Sequence, residues 1–272
     1  MQIAFSGRLG SGKSTVCAIL KDKYGYEIYS TGTVQRKVAE EMGISTLELN
    51  ERMTKDPTLD HIIDDAVVKL SREKAGAQIV YDSRMAWHFA ENTFKVYMYV
   101  DPTVAAKRVF NADRGDVEKY TNVEDALNQL TARSMEENKR FKKIYNVDNF
   151  DYNNYNLIID STSATPELIA ESIVNCANDF EKSPYEGTKM LISPFVVFPT
   201  APYGKDDGDD LVITIKDGYH YCVKGHSKLA ALQLGGACFA EAVYSEESNV
   251  LYNQSYRVEF ETAGNFKYEA KI

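Results

Sequence analysis

Two rhythms of apolar and polar positions divide this chain. From Met1 to about residue 182, short apolar runs alternate with stretches whose apolar residues recur every three or four positions. The runs read as strands and the stretches as helices. Met1 to Ser6 is the first run, and Val16, Ile19, Leu20 and Tyr24 follow it at helical spacing. Glu27–Ser30, Gln78–Asp82, Phe94–Val100 and Asn156–Asp160 read as further strands. Thr31-Gly32-Thr33 opens a helix through Val34, Val38 and Met42, and Ser45 and Glu48 have the spacing of a capping box. Pro57 starts a helix with Leu59, Ile62, Ile63, Ala66, Val67 and Leu70 on one face. Asp101-Pro102 and Thr165-Pro166 are helix starts, and a long helix is expected from about Val123 to Tyr145.

The rhythm changes at Lys182-Ser183-Pro184-Tyr185-Glu186-Gly187, which reads as a linker. Beyond it Leu191–Phe198, Leu211–Ile215, Tyr219–Val223, Phe239–Tyr244 and Tyr256–Phe260 read as strands, with one helix from about Ser227 to Leu234. The expected organisation is an α/β domain over 1–182, with five parallel strands covered by helices, and a small α+β domain over 190–272. In such a parallel sheet, ligands bind beyond the carboxyl ends of the strands.

Composition adds bounds. The chain has 272 residues, 44% hydrophobic and 26% charged, as a globular protein does. It has no apolar run of about 18 residues, so no membrane partner is expected. The first strand starts at once, which leaves no room for a signal peptide. Cys17, Cys176, Cys222 and Cys238 are widely spaced, the pattern of reduced thiols in a cytoplasmic protein. A net charge of -9 argues against nucleic acid as a partner. It does not argue against a nucleotide, which a few local arginines can hold.

The chemistry begins at Gly7-Arg8-Leu9-Gly10-Ser11-Gly12-Lys13-Ser14, which matches G-x-x-x-x-G-K-[ST] between a strand and a helix. This is the pattern of a P-loop NTPase. The loop Gly7, Gly10, Ser11 and Gly12, with Lys13, Ser14 and Thr15 at the helix start, should cradle the phosphates of ATP. Lys13 can reach the β- and γ-phosphates, and Ser14 can hold Mg²⁺. Asp82 ends an apolar strand and can orient Mg²⁺ through water, or anchor Arg84 or Lys13. Thr31-Gly32, Arg36 and Arg84 also follow strand ends, and arginines there suit a phosphate-bearing acceptor. Arg133 and Arg140 share a face of the long helix, and Asp160 ends the fifth strand, where it can cap the next turn.

With those residues in place, residues 1 to about 180 resemble a cytidylate kinase of the compact archaeal-like type. The resemblance rests on the glycine loop, Ile28 to Arg36, Ala39 to Ser45, Leu49-Asn50, Lys55-Asp56-Pro57, Ser83 to Trp87, Arg133 to Phe141, Tyr145, Asp151 and Asn156 to Thr162. It implies transfer of the γ-phosphoryl of ATP to CMP or dCMP. It also implies that Arg36 and Arg84 hold the acceptor, and that Arg108, Arg114 and Arg133 close over the transferring phosphate. Ser83 stands where the family more often has glycine, and Asn111 to Glu118 is unusually acidic.

In the second part, Gly218 to Ala231 resembles the ParB/sulfiredoxin-like domain, where a strand leads through G-H-x-R-x-A-A into a helix. That resemblance implies a phosphate or nucleotide at the loop of Gly225-His226, with Lys228 replacing the usual arginine. Two other readings stand beside the nucleoside monophosphate kinase: a kinase of another small metabolite, and a nucleotide-sensing regulator whose C-terminal part is the output. A homo-oligomer is compatible with every one of them.

Overall fold

The structure is a computed structural model, and it describes residues 1–45, 48–49, 52, 60–112, 120–247 and 249–268. The elements of the first part are β1 (Ile3–Gly7), α1 (Lys13–Tyr24), β2 (Glu27–Ser30), α2 (Thr31–Glu41), α3 (Asp60–Glu73), β3 (Ile79–Asp82) and α4 (Ala86–Phe89). They continue with β4 (Phe94–Tyr99), α5 (Pro102–Asn111), α6 (Val123–Tyr145), β5 (Leu157–Asp160) and α7 (Pro166–Lys182). The helix starts are written in side chains. Ser30 accepts from the Thr33 N–H, Asp101 from Thr103 and Val104, Asn122 from Asp125, and Thr165 from Leu168. Glu48 N–H donates to Ser45 Oγ at 3.1 Å, as the capping pattern predicts. The expected start at Pro57 lies outside the described residues.

β1 is buried along its whole length between β3 and β4, both parallel to it. Its alternate side chains serve two cores. Ile3 and Phe5 pack with Val16, Leu20, Ile169 and Ile173 of α1 and α7. Ala4 faces the opposite side, with Tyr81, Tyr97 and Tyr99, under α2, α3 and α4. The five strands run in the order β2-β3-β1-β4-β5, all parallel, as the strand–helix rhythm predicts.

The sheet does not stop there. β6 (Lys189–Ile192) adds in parallel beside β5. Then come β10 (Ala240–Tyr244), β8 (Val212–Lys216), β9 (Tyr219–Lys224) and β7 (Val197–Pro199), in that order, making one mixed sheet of ten strands among the described residues. β8 and β9 are joined by Asp217-Gly218, both at positive φ, the two-residue turn whose twist suits a hairpin. α8 (His226–Leu234) and α9 (Gln254–Gly264) pack on this half.

Two sequence expectations change here. Leu191–Phe198 is not one strand: Ser193 and Pro194 open a 3₁₀ turn, so β6 and β7 take distant places in the sheet. Proline has no N–H to extend a ladder. Tyr256–Phe260, read as a strand from its alternation, lies in α9. Asn253 caps that helix through the Ser255 N–H, and Arg257 pairs with Glu261 one turn on. Phe260 is buried while Val258 is 45% exposed, so the operative period is helical.

The C-terminal strands curl back over the first half. Five strand spacings separate β4 from β9, which would place them roughly 24 Å apart in a flat sheet. Yet the rings of Tyr99 on β4 and His220 on β9 meet edge-on at 4.5 Å. The core containing Tyr97, Tyr99 and Tyr152 therefore continues into Met190, Ile213 and Leu229.

Candidate active site

The loop from Gly7 to Gly12 joins β1 to α1. Gly10 has φ +77°, and a Cβ there would lie 2.9 Å from the Ala105 Cβ, so the turn needs glycine twice over. Thr15 and Val16 donate backbone hydrogen bonds to the Gly12 carbonyl, which starts α1. The first turn of α1 carries no acidic residue. Its N-terminus therefore keeps an unneutralised positive end beside exposed Ser14 and Thr15. Ser11 is buried, and among the described residues its Oγ has no hydrogen-bond partner. A buried unpaired hydroxyl in a glycine loop is the kind of group a bound phosphate would satisfy.

Lys13 forms an ion pair with Asp82, across from it at the end of β3. Burial lowers the Lys13 pKa to about 8. The carboxylate beside it favours the charged form. Of the roles open to Asp82 in the sequence, the one present here is the Lys13 partner.

Two residues beyond Asp82, Arg84 is clamped to the same loop. Its carbonyl accepts from Ser6 Oγ at 3.2 Å, and its guanidinium donates to the Gly7 carbonyl. Its Nε also lies 3.5 Å from Glu137 Oε2 on α6. Arg133, one turn earlier on that helix, lies 3.4 Å from the other oxygen of Glu137. One carboxylate thus holds two arginines next to the Lys13–Asp82 pair.

From Arg84 a cavity of about 400 Å³ runs outward between α2, α3 and α6. Tyr81, Phe89, Phe141 and Tyr145 supply aromatic walls, and Thr31, Gln35 and Arg140 supply polar ones. Arg36 does not line it; its Nη2 donates to Thr33 Oγ1 at 3.2 Å and the side chain is exposed. Gly32 lies beside it at the start of α2, within reach of the Arg36 guanidinium.

Arg108 has other partners. It donates to the Ser161 carbonyl at 2.7 Å and to the Thr162 carbonyl at 3.2 Å, fastening α5 to the turn after β5. Arg114 lies outside the described residues. Asp160 caps that same turn, accepting from Thr162 N, Thr162 Oγ1 and Ser193 N. Burial lifts its pKa to about 6.

Sequence reasoning missed Glu137 as a bridge. Its signal was present, four residues after Arg133 on one helix, but the second partner comes from a distant strand. It also missed what occupies the Gly225-His226 loop. Asp207 reaches into it: Oδ1 accepts from the Gly225 and His226 N–H groups at 3.0 and 2.8 Å, and Oδ2 lies 2.6 Å from His226 Nδ1. On the far side of the ring, Nε2 accepts from the Thr200 N–H. The anion position at the start of α8 is filled by the protein's own carboxylate. Burial opposes its charge, but these hydrogen bonds prevail and hold its pKa below the usual range. Asp207→Ala is expected to cost about 2–3 kcal/mol by stranding those donors. Equilibrium denaturation would show it, and ATP affinity should be unchanged.

A glycine loop, a half-buried lysine–aspartate pair and two arginines lie on one edge of a parallel sheet, an arrangement suited to phosphoryl transfer. Comparison with known proteins narrows the class. The family described as cytidylate kinase-like matches residues 2–163. The cytidylate kinase of Natronomonas pharaonis is 34% identical over 195 residues, covering 69% of this chain and 97% of that protein. That of Ignicoccus hospitalis is 32% identical over 173 residues, covering 63% and 95%. An S-adenosylmethionine-dependent nucleotide dehydratase of Lacinutrix mariniflava is 32% identical over 174 residues, covering 64% of this chain but 35% of that protein. This chain belongs to the cytidylate kinase-like family.

Proposed function

We propose that the protein moves the γ-phosphoryl group of ATP to a nucleoside monophosphate, CMP or dCMP. The observation that carries this reading is the meeting of Arg84 and Arg133 on Glu137 beside Lys13 and Asp82. An acceptor phosphate is the anion that can replace Glu137 between those guanidiniums. The aromatic cavity running from Arg84 would take the attached nucleoside, with Gln35 and Arg140 available to its polar edge.

In the transfer, an acceptor phosphate oxygen bonds to the γ-phosphorus and the bond to the β–γ bridging oxygen breaks, leaving ADP. The acceptor oxygen is already anionic, so no general base is required. Lys13 and the α1 N-terminus neutralise charge on the donor phosphates, while Arg84 and Arg133 hold the acceptor in line. Arg108, fixed to the Ser161–Thr162 turn, and Arg114 would bound the donor side. Arg36 would have to turn away from Thr33 to reach an acceptor. Ser14 and Asp82 would hold Mg²⁺. Among the described residues there is no cluster of three His, Cys, Asp or Glu that could ligate a metal. Magnesium with one or two protein groups and phosphate oxygens fits that donor set, and it would screen charge on the phosphates.

ADP release from ATP and Mg²⁺ with a panel of nucleoside monophosphates tests the reading. CMP or dCMP is expected to support turnover at least about tenfold above AMP and GMP, a difference of roughly 1.4 kcal/mol. No acceptor-dependent ADP with any member of the panel would overturn it.

A further inference from the structure

A second cavity, of about 360 Å³, lies along the earlier turns of α6, where the curled sheet meets the first half. Leu127, Leu130 and Ser134 of α6 form one wall, Tyr97 and Tyr99 of β4 another, and Ile215 of β8 closes it. The Asp217-Gly218 hairpin turn stands at its rim, with Met135 and Phe150, which are 64% and 38% exposed. The cavity exists because the β8–β9 hairpin folds back over β4.

Arg8 of the glycine loop lines this space. Its Nη1 donates to the Val100 carbonyl at 3.3 Å, and the guanidinium lies over the Tyr99 ring at 5.2 Å. Burial works against its charge, and the Asp101 carboxylate nearby favours it. Asp101 is committed to capping α5. Among the described residues no carboxylate forms an ion pair with Arg8. A guanidinium has five donors, and among the described residues the Val100 carbonyl is the acceptor that Arg8 meets.

We infer that this cavity is a ligand site, separate from the two nucleotide positions, for a small monoanion with an aromatic body and one carboxylate. The carboxylate meets the Arg8 fork, and the apolar body lies among Tyr99, Leu130 and Ile215. The charge count follows from the walls. One guanidinium lines the cavity, and exposed Asp217 at the rim opposes a second negative charge. The volume falls within the range of small-molecule sites. A ligand there would touch both the glycine loop and the helix that carries Arg133 and Glu137.

Indole-3-carboxylate and its neutral carboxamide are suitable probes on the full chain, read by isothermal titration and saturation-transfer NMR. The carboxylate is expected to bind with a dissociation constant below about 1 mM, and the amide at least about tenfold more weakly. Ile215→Trp fills the cavity from β8 and Leu127→Trp from α6. Each should weaken carboxylate binding tenfold or more while ATP affinity and a cooperative melt persist. No carboxylate binding, equal affinity for the amide, or undiminished binding in both folded variants would overturn the inference. Because the readout is binding, it stands or falls independently of phosphoryl transfer to CMP.

Discussion

Lys13→Ala should lower phosphoryl transfer by about 10²–10³-fold, the cost of losing one preorganised charge at a transition state. Several features place the effect on turnover. Lys13 stands at the first position of α1, its ammonium is held by Asp82, and its side chain is only 19% exposed. The groups proposed to hold the acceptor are elsewhere: Arg84 is anchored on the Gly7 carbonyl and on Glu137. The expected signature is therefore a fall in kcat with little change in the KM for CMP. The variant leaves Asp82 without its cation, so some stability is lost too, and a melting curve must accompany the kinetics. Turnover within about fivefold of the native protein, in a folded variant, would remove Lys13 from the mechanism.

A chain cut after Lys182 should fail to give a stable folded kinase. The pattern of the sequence suggests that 1–182 could stand alone, but its packing argues otherwise. β6 covers the edge of β5, with Met190 and Ile192 fully buried in the core that contains Ile158. Thr188 Oγ1 lies 2.9 Å from the carbonyls of both Tyr152 and Tyr155. Ser193 N–H satisfies buried Asp160, and His220 seals Tyr99. Uncovering Ile158, Tyr99 and Tyr152 alone would cost roughly 1.5–3 kcal/mol each. That sum is comparable to the roughly 5–15 kcal/mol by which a whole domain is stable. The bare β5 edge would also invite association with other chains. Expression of 1–182, size-exclusion chromatography and thermal melting read the outcome. A monomer with a cooperative melt within about 5 °C of the full chain would show that the second half is dispensable.

The sequence by itself determined the glycine loop, the five parallel strands of the first half and most helix starts. These are local: a strand's alternation, a cap such as Asp101 or Thr165, and the loop pattern at Gly7–Ser14 act over a few residues. It also marked Arg84 and Asp82 for the phosphate edge, since a strand's carboxyl end fixes where the next residues lie. Tertiary structure decided what depends on distant partners. Glu137 joins Arg84 to Arg133, while Arg36, equally promising in the sequence, turns to Thr33. Asp207 fills the loop at His226 from 19 positions away. Tyr256–Phe260 becomes helix because Phe260 has a core to enter and Val258 does not. Above all, the curl that brings His220 to Tyr99 joins the second half to the first. Twist and burial accumulated over ten strands produce that contact, and no window of the sequence spans it.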